Sequence, residues 1–499
     1  MNYSISKLEK VVKKVQDRFQ IPSIAIGVID KENGKYLKGF GSLSINDNHP
    51  VDENTIFALA SISKSTAAAS LSILVDDEKI NWSDSVKKYL PDFALYDPFT
   101  NDNLQVRDLL IHNSGLPSVS GGTIWYDSKL SRKEVVHRLR YLKPVSSFRS
   151  TYAYQNICYL VAGEIIEAVT GETWDDFISK RLFSPLSMKR TTTKLTDLEK
   201  LQNYAKPHTW MDGQVLEIPY RNHENVGAGA SINSSARDWL QYVELFLNNG
   251  FFNGEQIISS QRIKEMWAPQ TIIPDDNLPA DLDSSLFNAY GMGWFLREYN
   301  GQKVVNHSGG VDGMRTQMCI LPNADVGFII FTNLEPGYGL KAIYYSMLDT
   351  FTGKYPFDWI SHFEGVQQQF FDNQKQVLLE RQEKRNEKIS PSFPLTYYCG
   401  VYFDPKVGNV SVHFNQGSLR LDFDQSRCFH AKLSHWEKDT FEILWDDRYI
   451  PTGLLTFKFD DNGYPEQIIF NQPNLLDVDF SELEIYWIKD LENEELKNG

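Results

Sequence analysis

The chain has 499 residues, of which 41% are hydrophobic and 13% aromatic, and its formal net charge is −15. This length exceeds what one core usually supports, so we expect two domains, or one large and one small, and the hydrophobic content excludes general disorder. The acidic balance argues against nucleic acid or an anionic membrane surface as a partner.

The N-terminal segment predicts an amphipathic helix, because Leu8, Val11, Val12 and Val15 recur at helical spacing among charged residues. It lacks the apolar centre of a signal peptide, and no apolar run approaches the roughly 18 residues that a membrane span needs. We therefore expect a cytoplasmic protein with no membrane span. If a signal peptide was trimmed from the chain, the expected location is secreted or periplasmic.

Strands are predicted at both ends of the N-terminal region, with helices and loops between them. A strand over 23–30 precedes an Asn33-Gly34 hairpin turn, and a helix runs from Ser61 to about Asp76. Further strands are predicted late in this region, over 303–308, 315–321 and 326–333. Because strands from both ends would share one sheet, this order favours an α+β layered architecture over alternating βαβ units.

The composition changes near residue 364, where a charged, glutamine-rich segment predicts a connecting helix. After it, short alternating segments separated by turns such as Asp461-Asn462-Gly463 predict a small all-β barrel or sandwich. The predicted domains are therefore 1–363, a helical linker 364–396, and an all-β domain 397–499.

The four cysteines form no CxxC pair and no zinc-type spacing with histidines. They are Cys158, Cys319, Cys399 and Cys428. We expect free thiols, and the sequence implies no metal and no organic cofactor.

Ser61-Ile62-Ser63-Lys64 is the first candidate for chemistry. Residues three apart on a helix share a face, so Ser61 and Lys64 would be neighbours. A deprotonated lysine can take the serine proton and create a nucleophile, and a helix N-terminus offers free backbone N–H groups. Taken alone, the same four residues also fit an ordinary N-cap serine followed by a solvated lysine.

Two later segments carry groups that could complete such a site. Tyr154 and Asn156 are two residues apart, so in an extended segment both can face the same side, where a phenol relays protons and an amide binds a carbonyl. His307 precedes Ser308 and two glycines at the end of a predicted strand, where glycine permits close approach of a ligand. Each piece alone also fits a structural role.

Two more segments, 106–117 and 290–294, favour structural roles. The first predicts a helix that ends in a Gly-Leu-Pro loop, with His112 structural. The second predicts a glycine-rich, aromatic strand entry in the core.

The order Ser61-x-x-Lys64, Tyr154-x-Asn156 and His307-x-Gly309 resembles the serine β-lactamase and penicillin-binding-protein family. The resemblance covers roughly residues 5 to 355, and it is strongest to the class C-like branch, which includes esterases, D-aminopeptidases and DD-peptidases. It implies a β-lactamase-like α/β sandwich, with an antiparallel sheet flanked by helices plus a helical region. The β-rich tail is similar to the lipocalin-like C-terminal domain of some members of this branch.

Carried over by position, the resemblance makes Ser61 the acylated nucleophile and assigns its deprotonation to Lys64 and Tyr154. His307, in place of the family's lysine, joins the catalytic residues. The implied substrate-binding residues are Asn156, Ser308, Gly309 and Gly310, with the backbone N–H groups of Ser61 and Gly310 forming an oxyanion hole.

The third motif departs from the family pattern, since it reads His-Ser-Gly where antibiotic-hydrolysing members carry Lys-Thr-Gly. A neutral histidine attracts a substrate carboxylate less than a lysine does. We therefore expect a serine acyl-hydrolase for small esters or peptides, including peptides with D-residues, and a homo-oligomer is possible. The alternatives are a penicillin-binding or sensing protein that acylates without efficient turnover, a weak β-lactamase, and an inactive scaffold whose barrel binds.

Overall fold

The computed structural model divides the chain into two compact units. The residues it describes are 5–274, 282, 285, 287–385 and 389–488. The first unit combines residues up to 118 with 143–372, and the second combines 119–142 with residues from 373 onward. The predicted domain boundaries did not include this return of segment 119–142 to the second unit. Parts of the predicted domains lie outside the described residues, among them 1–4, 386–388 and 489–499.

The helices have these bounds in the described residues: α1 (Ile5–Phe19), α2 (Ser63–Asp76), α3 (Val86–Tyr89), α4 (Pro98–Asn103), α5 (Gly122–Trp125), α6 (Arg132–Arg138), α7 (Ile157–Thr170), α8 (Trp174–Ile178), α9 (Thr196–Leu201), α10 (Ala236–Leu247), α11 (Ser260–Met266), α12 (Tyr338–Thr352) and α13 (Trp359–Lys384). The amphipathic first helix is confirmed, with Val12, Val15 and Phe19 buried in one core cluster with residues of α12. The helix α13 begins before the predicted linker and fills its first part.

The strands of the first unit have these bounds: β1 (Ser23–Asp30), β2 (Gly34–Ser44), β3 (Asp47–Pro50), β4 (Ile56–Ala58), β5 (His208–Met211), β6 (Gln214–Glu217), β7 (Asn233–Ser235), β8 (Phe251–Phe252), β9 (Glu255–Gln256), β10 (Thr271–Ile272), β11 (Asn288–Tyr290), β12 (Phe295–Tyr299), β13 (Gln302–Val311), β14 (Met314–Leu321), β15 (Val326–Thr332) and β16 (Leu334–Glu335). Nine of them, as far as the chain is described, form one sheet in the order β10-β11-β12-β13-β14-β15-β1-β2-β3.

The main sheet joins the two ends of the first unit, as the sequence predicted. Strand β1 pairs antiparallel with both β2 and β15, with Ile26 opposite Ile330. Every residue of β1 is buried, which explains its nearly continuous apolar sequence. The sheet and the surrounding helices make a β-lactamase-like α/β fold, and the fold-class prediction is confirmed.

Helix α2 lies inside the first unit rather than on its surface. Its residues from Ser63 to Leu74 are all buried, including three consecutive alanines. Small side chains allow the neighbouring elements to approach the helix on every side. The first turn of α2 is therefore held inside the protein, away from bulk water.

The second unit contains a closed antiparallel barrel, made of β17 (Gly400–Asp404), β18 (Gly408–Asn415), β19 (Ser418–Phe423), β20 (His430–Glu437), β21 (Thr440–Trp445), β22 (Gly453–Phe459), β23 (Pro465–Asn471) and β24 (Ile485–Trp487). Pairing of β17 with β24 closes it, as at Tyr402 and Trp487. Closure removes the exposed strand edges. The predicted small all-β barrel is confirmed.

A partly buried carboxylate ties segment 119–142 to the barrel. Glu482 accepts hydrogen bonds from Ser120 Oγ at 3.0 Å, the backbone N–H of Gly121 at 3.0 Å and Thr123 Oγ1 at 2.6 Å. Burial raises the pKa of the Glu482 carboxyl, against the lowering effect of these donors. The barrel unit is thus built from two separate stretches of the chain.

In the part of the chain that the structure describes, no helix has the length and apolar character required to cross a membrane.

Candidate active site

Ser61 lies on a tight turn between β4 and α2. A 3-10 turn spans Ala60–Ile62, and α2 starts at the following residue. Ala60 has φ of 53°, a left-handed conformation that is uncommon for alanine and that clusters at functional sites. Ser61 is 8% exposed. The turn therefore presents a nearly buried hydroxyl just before the first turn of a buried helix.

Lys64 is the hydrogen-bonding centre of the site. Its side chain is fully buried, and Nζ lies 3.1 Å from Ser61 Oγ, 2.6 Å from Asn156 Oδ1 and 2.8 Å from the carbonyl oxygen of Gly229. The predicted proximity of Ser61 and Lys64 is confirmed. The alternative of a solvated lysine is wrong, because the amine is bound by protein oxygens on several sides.

These contacts suit a proton transfer without side-chain movement. The oxygens of Asn156 and Gly229 can only accept, so they take the two N–H bonds of a neutral amine. The lone pair of the amine then points toward Ser61, whose hydroxyl can donate a hydrogen bond to it. After transfer, the ammonium of Lys64 has three N–H bonds for the same three oxygens. The site thus accommodates both protonation states in one geometry.

Tyr154 and Asn156 reach the site from the segment that leads into α7. Asn156 is the N-cap position of that helix and is 1% exposed. The Lys64 Nζ lies 4.7 Å from the centre of the Tyr154 ring, a favourable position for a cation. The Tyr154 ring also stacks on the Phe295 ring, with 6.5 Å between the ring centres and 7° between the ring planes. The predicted pair therefore meets the predicted serine and lysine.

His112 packs against this segment and binds its backbone. The ring is buried, and Nδ1 accepts the backbone N–H of Gln155 at 3.0 Å. Its centre lies 4.4 Å from the Tyr154 ring and 4.3 Å from the Tyr290 ring. Burial lowers the pKa of His112 well below its usual value, and the Lys64 charge adds to this. A neutral His112 that fixes the backbone beside Tyr154 agrees with the predicted structural role.

His307 is fully buried, and both of its ring nitrogens bind protein oxygens. Nδ1 lies 2.7 Å from the Ser308 carbonyl, which can only accept, so Nδ1 carries the proton. Nε2 then accepts the O–H of Tyr290 at 2.8 Å. Burial, and to a smaller extent the charge of Lys64, lowers the pKa of His307 to about 3. The imidazole is neutral and its orientation is fixed.

The edge of β13 after His307 lies against the turn that carries Ser61. Thr316 Oγ1, on the neighbouring β14, donates to the carbonyl of Leu59 at 2.9 Å. A side chain at Gly309 would approach that same carbonyl to 2.1 Å, so only glycine fits. Ser308 is exposed and Gly310 is partly exposed. This strand edge can therefore face a substrate.

The structure brings the predicted site residues into one region of the first unit. Direct contacts join Ser61, Lys64, Tyr154, Asn156 and His307, and the strand continues through the remaining three predicted residues, Ser308, Gly309 and Gly310. The sequence analysis missed the Gly229 carbonyl, for which no side-chain signal exists. It also assigned Tyr290 to the core; the ring is buried, but its hydroxyl orients His307.

Within the described residues, no group of three or more His, Cys, Asp and Glu side chains is placed to hold a metal ion. The four cysteines are free thiols, as expected.

Comparisons with known proteins agree with this architecture. Over 432 residues the chain is 28% identical to an unguisins hydrolase of Aspergillus campestris, covering 82% of this chain and 77% of that protein. An unguisins hydrolase of Aspergillus violaceofuscus is 26% identical over 473 residues, covering 89% and 82%.

Solved structures share the fold. An octameric penicillin-binding protein homologue from Pyrococcus abyssi matches with a TM-score of 0.64 at 21% identity, covering 97% of this chain and 100% of that one. A D-amino acid amidase from Ochrobactrum anthropi SV3 matches with a TM-score of 0.58 at 20% identity, covering 69% and 99%.

Family profiles match both parts of the chain. Residues 384–488 match a family described as a domain of unknown function. Residues 8–348, more than half of the chain, match the Beta-lactamase family, and the chain therefore belongs to that family.

Proposed function

We propose that this protein is a serine acyl-hydrolase that cleaves amide or ester bonds of small peptides through an acyl-enzyme on Ser61. The observation that carries the proposal is the contact of Ser61 Oγ with a buried Lys64 amine that also contacts two oxygens that can only accept, those of Asn156 and Gly229. Relatives described as hydrolases support the reaction class. A neighbour described as a D-amino acid amidase supports amide substrates, including those with D-residues.

The proposed acylation begins with neutral Lys64. Ser61 Oγ attacks the carbonyl carbon while its proton passes to Lys64 Nζ, directly or through Tyr154. The carbonyl oxygen becomes an oxyanion, for which the backbone N–H groups of Ser61 and Gly310 are the proposed donors. The carbon–nitrogen or carbon–oxygen bond then breaks, and the leaving group takes a proton from the Lys64 ammonium. Water later attacks the acyl carbon and gives one proton to the neutral Lys64 amine. The bond from that carbon to Ser61 Oγ breaks, Oγ takes the proton from Lys64, and the carboxylic acid product leaves.

His307 fits a positioning role better than proton transfer. Its ring nitrogens are engaged by Tyr290 and Ser308, so in this geometry neither is available to a substrate. The side chain also carries no charge that could attract the carboxylate of a β-lactam. Both points favour the amide and ester branch over a dedicated β-lactamase.

The test is a hydrolysis panel of p-nitrophenyl esters, D- and L-aminoacyl p-nitroanilides and a chromogenic cephalosporin, with intact-mass analysis of the quenched enzyme. We expect turnover of esters or anilides, and a transient mass gain equal to the acyl group that is absent in Ser61→Ala. Turnover that persists in Ser61→Ala refutes the proposal. A single burst with a permanent mass gain identifies the acylating, non-hydrolysing alternative instead.

The proposal includes a homo-oligomer, supported by the octameric state named for the Pyrococcus homologue. Light scattering coupled to size exclusion would measure the mass of the particle against the 57.4 kDa chain.

A further inference from the structure

The segment that carries Tyr154 has no regular secondary structure. Residues 152–155 lie in neither a helix nor a strand, and α7 begins only at Ile157. Helix or strand geometry therefore does not fix the position of Tyr154, although Lys64 Nζ lies 4.7 Å from its ring. The backbone on both sides of Tyr154 has to be held by hydrogen bonds to another part of the chain.

His112 binds the backbone directly before and directly after Tyr154. Its carbonyl oxygen accepts the backbone N–H of Ala153 at 2.9 Å, and its ring Nδ1 accepts the backbone N–H of Gln155 at 3.0 Å. The main-chain conformation of His112 is left-handed, with φ of 57°, which is uncommon for a residue other than glycine. In this conformation a single residue offers two acceptors to the two peptide groups that flank Tyr154.

The side chain of Gln155 binds the loop over 113–117. It is fully buried, and its Nε2 donates to the carbonyl oxygen of Pro117 and, at 3.4 Å, to that of Leu116. A carbonyl oxygen can only accept, so the amide N–H groups of glutamine match what this position requires. These bonds fasten the backbone next to Tyr154 to the loop.

The loop over 113–117 is also bound to the chain that returns toward Tyr154. The Gly115 carbonyl oxygen accepts the backbone N–H groups of Val145, at 2.9 Å, and of Ser146, at 3.2 Å. The two stretches of chain are therefore bound to each other at more than one point. A shift of Tyr154 would require several of these hydrogen bonds to lengthen together.

We infer that His112 and Gln155 are positioning residues that hold Tyr154 in the geometry for proton transfer. Together the two residues form a clamp on Tyr154. The inference rests on the proposed function, because the clamp has a task only if Tyr154 and Lys64 serve the reaction. Proton transfer depends steeply on geometry, and a displacement of about 1 Å can cost about 100-fold in rate. The clamp therefore acts on the rate of acylation rather than on the binding of substrate.

The test removes each part of the clamp separately. Gln155→Met keeps the length of the side chain and removes its amide donors. His112→Leu removes the ring acceptor, whereas His112→Asn keeps an acceptor near the position of Nδ1 and tolerates the left-handed conformation. The matched control is Gln472→Met in the barrel, because Gln472 Nε2 also donates to two carbonyl oxygens, those of Pro451 at 2.6 Å and Pro473 at 3.4 Å.

The acylation rate and the apparent Kd both come from the substrate dependence of the stopped-flow burst with an activated ester. We expect Gln155→Met and His112→Leu each to lower the acylation rate by about tenfold to a hundredfold, with Kd changed by less than about threefold. His112→Asn should recover most of that loss, and Gln472→Met should leave the rate unchanged. An acylation rate in Gln155→Met equal to wild type overturns the inference. So does an equal loss in His112→Asn and His112→Leu, or a loss confined to Kd.

Amide hydrogen exchange separates this inference from the proposed function, because on Ser61→Ala it needs no turnover. The N–H groups of Ala153 and Gln155 should exchange slowly in this background. Adding His112→Leu or Gln155→Met should speed their exchange by about tenfold or more, while Gln472→Met should not. Faster exchange supports the clamp even if no substrate of the panel is hydrolysed. Unchanged exchange overturns the inference while leaving Ser61-dependent hydrolysis intact.

Discussion

Replacing Lys64 by arginine or methionine tests whether the amine acts as a base or only as a charge. Lysine and arginine both carry donors and a positive charge, but a guanidinium is not deprotonated in proteins. Methionine has neither donors nor charge and is close to lysine in length. If neutral Lys64 accepts the proton of Ser61, both variants must fail, for the same chemical reason.

The expected magnitudes follow from the contacts of Nζ. Loss of a positioned base lowers kcat/KM by about 10²- to 10⁴-fold. Methionine also leaves the oxygens of Asn156 and Gly229 without their donor, at about 1–3 kcal/mol for each buried acceptor. We therefore expect Lys64→Met to lose up to about 6 kcal/mol of stability. The larger Lys64→Arg keeps donors for both oxygens and should lose less through unpaired acceptors.

The assay measures the rate of acylation by stopped-flow burst with an activated ester, beside the melting temperature of each variant. A matched control is Lys79→Met, an exposed lysine in the turn after α2. Acylation by a folded Lys64→Arg at a rate within threefold of wild type would refute the base mechanism. It would show that a fixed cation beside Ser61 suffices.

Three further predictions concern the nucleophile, the strand edge and pH. Ser61→Ala should lower kcat by about 10⁴-fold or more with an unchanged circular dichroism spectrum, and a smaller loss in kinetic assays would contradict its role. Gly309→Ala should displace β13 from the Leu59 carbonyl, lowering stability by about 1–3 kcal/mol and reducing kcat/KM in melting and rate measurements. The control Gly365→Ala, inside α13 with open space around it, should leave the rate unchanged and raise stability by about 0.5–1 kcal/mol. Because the pKa of His307 is lowered from 6.5 to about 3, the unfolded chain binds a proton there that the folded protein does not, and stability falls as the pH decreases across this range. The slope is about 1.4 kcal/mol per pH unit, so melting temperatures from neutral pH down to about pH 5 should decrease less in His307→Gln, and equal slopes would count against a buried neutral imidazole.

The fold and much of the site could be predicted because the strongest signals in the sequence are of two kinds. They are local patterns of helices and strands, and the order of three short motifs along the chain. The alternation in the barrel strands and the apolar run of β1 reflect which faces are buried, so they identify strands directly. The spacing of Ser61 and Lys64 follows from helix geometry and needs no tertiary information. The prediction that Ser61 and Lys64 lie near Tyr154 and His307 depended on the family resemblance, since no periodicity relates segments so far apart.

Other features of the site have no local signature. The Gly229 carbonyl is a backbone group, so any residue could supply it, and only the folded chain shows that it faces Lys64. The role of the Tyr290 hydroxyl could not be predicted, because the composition of its segment is typical of a core. The buried ion pair of Arg221 with Asp312 joins residues far apart in the sequence, and the pattern of neither segment reveals it.

The return of segment 119–142 to the barrel unit limits how this protein can be divided. The chain enters the barrel unit early, leaves it, and enters it again only after residue 372. The barrel unit therefore cannot be added or removed by a change at the C-terminal end of the chain alone. Exchange between relatives must carry both stretches, because Glu482 in one stretch accepts a hydrogen bond from Thr123 in the other. A truncation after 372 would leave the inserted stretch without its partner.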